Sequence, residues 1–111
     1  MNKIKFSHNW NNKLNNDIFT TIRKYDNEKY YYYFNQTNKE FEIVLNGNIV
    51  GKAVLINVEH LDYINIPYCL LRLDTGLKTK ESINELFNKF GINNNSEVLV
   101  LTFERINKET K

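Results

Sequence analysis

At 111 residues the chain is long enough for one hydrophobic core and too short for two, and its 41% hydrophobic and 25% charged content is that of a folded domain, not a disordered segment. Fifteen basic against thirteen acidic residues leave a net charge of +2, which permits a nucleic-acid partner without compelling one. No apolar run approaches a membrane span, the opening Met1–Phe6 lacks the apolar stretch of a secretory signal, and the lone Cys69 excludes an intrachain disulfide, so a reducing cytoplasm is the expected compartment.

In chain order, residues 3–7 read as a short strand. Trp10 and Leu14 stand at i, i+4 and predict a short helix over 9–16. Residues 18–24 form the first clear strand. Alternation puts Phe19, Thr21 and Arg23 on one face of it, Thr20 and Ile22 on the other. A hydroxyl and a guanidinium thus point the same way, a pairing suited to a phosphate, a carboxylate or a base edge. The run Tyr30–Tyr33 followed by Phe34 favours a strand with both faces partly covered. Its rings serve either core and interface packing or a stacking platform for bases.

Residues 39–45 alternate cleanly, with Phe41, Ile43 and Leu45 inward, and Asn46-Gly47-Asn48 supplies hairpin-turn chemistry. A long strand follows over 49–59, where Gly51 predicts a bulge or bend. Pro67 leads into a short helix that Asp74-Thr75-Gly76 ends. Thr79 caps a helix over 80–90 whose stripe of Ile83, Leu86, Phe87 and Phe90 reads as core, with Gly91 just past its end. Residues 97–105 are a strand apolar on both faces, as in a central or barrel strand. The expected fold class is α+β: a small mixed β-barrel with flanking short helices, in one domain over residues 1–111.

The order and spacing of several segments resemble the ASCH domains, a branch of the PUA-like β-barrels. They are Phe6-Ser7-His8-Asn9-Trp10, Phe19-Thr20-Thr21-Ile22-Arg23, the hairpin at Gly47, Gly51-Lys52-Ala53, Leu71-Arg72-Leu73-Asp74-Thr75-Gly76, the helix 80–90 and the strand ending in Phe103. The resemblance covers nearly the whole chain. It implies a cleft between barrel and helices that binds RNA or nucleotides. One small bacterial branch is similar in length and hydrolyses the acetyl amide of acetylated cytidine with a lysine, a threonine and a glutamate. Aligned on Thr-Ile-Arg, Thr21 takes the place of the threonine, Asp74 falls near the glutamate, and Ile18 stands where the lysine belongs. Isoleucine carries no proton, so the resemblance implies a binding domain rather than a hydrolase, unless Lys13 or Lys24 reaches the cleft by a different local geometry.

The expected RNA- or nucleotide-binding residues are therefore Ser7, Trp10, Lys13, Thr20, Thr21, Arg23, Lys24 and Lys52. Thr21 and Asp74 are the catalytic pair if the chain is an enzyme. Asp74 serves equally as a helix-ending residue. A third alternative is a small structural or regulatory protein of a mobile element, with the tyrosines as a protein–protein patch. Ser7 and His8, adjacent on a strand, point apart and make no nucleophilic dyad. Two histidines and one cysteine at no recognisable spacing suggest no metal site, and four scattered glycines form no phosphate loop, so no cofactor is expected.

Overall fold

The computed structural model describes residues 2–106. Five strands, β1 (Asn2–Phe6), β2 (Ile18–Lys24), β3 (Glu40–Leu45), β4 (Asn48–Asp62) and β5 (Glu97–Arg105), form one mixed sheet in the order β1-β3-β4-β5-β2. Only β1 and β3 run parallel. Three α-helices, α1 (Asn27–Asn35), α2 (Tyr68–Thr75) and α3 (Lys80–Lys89), a 3₁₀ segment over Trp10–Asn15 and a short 3₁₀ turn over Tyr63–Asn65 complete the α+β fold.

The expected closed barrel is corrected to an open sheet. Among the described residues β1 and β2 remain its two edges, with no backbone ladder between them. A side chain spans the gap instead: Arg23 Nη2 on β2 donates to the Lys5 carbonyl on β1 at 2.9 Å. Where a barrel would close by pairing strands, this fold leaves a cleft.

Strand β5 explains why both of its faces are apolar. Leu99, Leu101 and Phe103 join Ile4, Phe19, Phe41, Ile43 and Leu55 in one core, while Val98 and Val100 join Ile22, Leu71, Ile83 and Phe87 in a second, beneath α2 and α3. Fully burying such a side chain contributes about 1.5–3 kcal/mol. The β3–β4 hairpin turns at Asn46-Gly47, both with positive φ, and Leu45 pairs with Asn48. Gly51 lies at a bulge, since Ile43 pairs with Gly51 and Val44 with Ile49, leaving Val50 extra. A Cβ on Gly51 would stand 2.5 Å from the Arg105 guanidinium, which donates to the Val50 and Leu14 carbonyls.

Three other expectations change. The tyrosine run is helical: Asp26 caps α1 by accepting from the Lys29 N–H at 3.0 Å, and Glu28 sits in the first turn. Helical spacing turns Tyr30 and Tyr33 onto the first core and leaves Tyr31, Tyr32 and Phe34 exposed. The segment at 9–16 is a 3₁₀ turn broken by two left-handed residues, Asn11 and Asn12, at φ of 54° and 55°. Phe90, expected in the core, is 52% exposed at the end of α3. It lies beyond the last turn whose stripe reaches the sheet.

Candidate functional site

The free edge of β2 is one wall of a cleft of about 190 Å³, bounded also by β1, the 3₁₀ segment, the end of α2 and the end of α3. Phe6, Trp10, Leu86, Phe87, Phe90 and Ile92 give it apolar and aromatic surface, and Lys13, Thr21, Arg23 and Asp74 give it polar surface. Lys5, Ser7, His8 and Lys24 are exposed at its rim.

At its centre, Lys13 Nζ lies 2.8 Å from Asp74 Oδ1, both side chains almost fully buried. Thr20 Oγ1 donates to the same carboxylate oxygen at 3.1 Å. Burial pushes Lys13 below the ordinary lysine range; Asp74 opposes the shift and nearby Arg23 adds to it. Arg23 is fixed on three sides. Its Nε donates to Thr21 Oγ1 at 3.0 Å, its Nη2 to the Lys5 carbonyl, and its guanidinium lies 5.0 Å from the centroid of the Phe6 ring. With Lys13 protonated, two cations face one carboxylate, so the polar centre carries a surplus positive charge.

The structure brings Ser7, Trp10, Lys13, Thr21, Arg23, Lys24 and Asp74 into this one cleft. Thr20 points to the opposite face of β2 and reaches the cluster only through Asp74. Lys52 does not line the cleft: it sits on β4 opposite Glu42, across the sheet from β2. Ile18 is 55% exposed and also lies outside the cleft, so the position that alignment gives the lysine does not face it. Lys13 arrives there from the 3₁₀ segment. Asp74 still occupies the last turn of α2, but its carboxylate pairs with Lys13 rather than Arg23.

The sequence reading missed Phe6, Leu86 and Phe90 as cleft residues. Tyr33, in the run read as either packing or a stacking platform, packs on Phe41 and does not line the cleft. Phe90, adjacent to Gly91 at the helix end, carried the one usable signal, since an aromatic beyond the last core-facing turn is free to face a cleft. Among the described residues no cluster of three or more histidine, cysteine, aspartate or glutamate side chains could hold a metal ion. No described helix is long and apolar enough to cross a membrane. Comparison with protein-family models, with curated proteins and with solved structures returns no match.

Proposed function

We propose that the cleft binds a nucleotide, either free or as one unstacked residue of an RNA strand. The observation that carries this reading is the pairing of aromatic surface, Trp10 and Phe90, with a fixed cationic fork, Arg23, in a space of about 190 Å³. A base stacked on an aromatic ring gains about 1–3 kcal/mol. Arg23, already held by Thr21, Lys5 and Phe6, loses little freedom on binding a phosphate or a base edge. Trp10 is the chain's single tryptophan, so its emission reports on the cleft alone. Titration with nucleoside monophosphates and short single-stranded RNA at low salt is expected to quench it, and Arg23→Ala to weaken binding by about 1–3 kcal/mol. Unchanged emission with every ligand would contradict the reading.

A second reading, hydrolysis of an acyl amide on a modified base such as acetylated cytidine, is favoured by the buried Lys13–Asp74 pair. Its premise is a lysine whose proton affinity burial lowers, lining the same cleft as Thr21. In this scheme neutral Lys13 takes the Thr21 hydroxyl proton as Oγ attacks the amide carbonyl. The C–N bond then breaks, the proton passes to the departing exocyclic amine, and water frees the acyl group from Thr21. Turnover of acetylcytidine that disappears in both Thr21→Ala and Lys13→Met would establish it. No turnover by the native chain leaves binding alone.

A further inference from the structure

We infer that Asn11 is a positioning residue, whose side-chain clamp on the end of α2 sets Lys13 against Asp74. The inference concerns the cleft proposed above and rests on that reading only for its effect on ligand. Asn11 Nδ2 donates to the Leu73 carbonyl at 2.9 Å. Its side chain also lies over Gly76, where an added Cβ would stand 3.1 Å from Asn11 Cβ. Contacts to residues 73 and 76 straddle Asp74, and Lys13 follows Asn11 by two residues. The clamp and the ion pair therefore tie the same short segment to the same helical turn.

The backbone supports this assignment. Asn11 and Asn12 are consecutive left-handed residues, a conformation that asparagine tolerates better than other residues with a Cβ. Asn12 turns its amide oxygen inward on the segment, accepting from Asn9 Nδ2 at 3.1 Å and from Asn15 Nδ2 at 2.7 Å. Asn9 Oδ1 in turn accepts from the Leu14 N–H at 2.9 Å. Asn9, Asn12 and Asn15 thus bond within the segment, and Asn11 fastens it to α2.

The test is the titration of Lys13, followed by the ¹³Cε resonance in the whole chain. Asn11→Gly keeps the left-handed backbone accessible and deletes the clamp. Asn12→Gly keeps the same freedom and leaves the clamp in place. The expected result is that Asn11→Gly moves the Lys13 titration toward that of an ordinary lysine and weakens nucleotide binding about tenfold, whereas Asn12→Gly moves the titration much less. An Asn11→Gly chain with native Lys13 titration overturns the inference. Should Asn11→Gly fail to fold, the native chain answers alone: the Asn11 side-chain amide must exchange its protons more slowly than that of exposed Asn94, and equal rates overturn the inference. A shifted titration in a chain whose native form binds no nucleotide upholds the clamp and removes the nucleotide reading.

Discussion

Lys13 is buried in the cleft as one half of an ion pair with Asp74. A buried ion pair gains Coulomb energy but gives up the hydration of both partners, and removing one partner costs about 3–5 kcal/mol because the other is left buried and unpaired. Lys13→Met and Asp74→Leu are each expected to lose stability of that order in denaturant unfolding. The double variant is expected to lose clearly less than either, since two apolar side chains replace both charges. Its failure to recover would mean that the pair itself stabilises the fold. The pH dependence follows from the sign of the shift. Lys13 holds its proton less tightly folded than unfolded, so between its lowered pKa and the ordinary lysine value of about 10.4 the unfolded chain binds more protons. Stability of the native chain relative to the double variant should therefore rise with pH across that window. A flat difference would show that Lys13 titrates normally. The shared facing of Thr21 and Arg23 was legible from alternation, whereas turn chemistry gave Asp74 only as a helix-ending residue and its nearness to the cleft came from the resemblance. Ile18 holds the lysine position only by alignment, which compares positions along the chain, whereas Lys13 reaches the cleft from a segment shaped by two left-handed asparagines that no periodicity reveals.

At the scale of elements, β2 and β3 follow from alternation because each packs a face on a core, and β5 from its apolar run because it packs both. The tyrosine run did not, because strand propensity belongs to single residues and the deciding information lay in the caps. Asp26 and Glu28 open a helix, and only then does the spacing of Tyr30 and Tyr33 acquire meaning. Two outcomes check this account by thermal unfolding. Asp26→Ala should cost about 1 kcal/mol through loss of the cap. Tyr33→Ala, which strips a ring from Phe41, should cost more than about 2 kcal/mol, while Tyr31→Ala, 57% exposed, should stay within about 0.5 kcal/mol. Equal losses at Tyr31 and Tyr33 would contradict the helical facing.

For the molecule as a whole, the open sheet is what leaves room for the cleft. Strand β5 buries both faces, so the two cores form on opposite sides of it, and the unpaired edge of β2 opens onto the cleft rather than onto β1. Few cations surround that cleft: Arg23 and Lys13 within, Lys5 and Lys24 at the rim. Binding to single-stranded RNA should therefore depend on salt only modestly, with a log–log slope of about −2 if about three phosphates are neutralised. A slope several times steeper would place the contact on another surface. The most direct measurement is amide chemical-shift mapping of the native chain during titration with nucleoside monophosphates. Perturbations centred on Trp10, Lys13, Thr21, Arg23 and Asp74 are expected, and they vanish in Arg23→Ala. Perturbations centred on the exposed aromatic face of α1, or none at millimolar ligand, would contradict binding in the cleft.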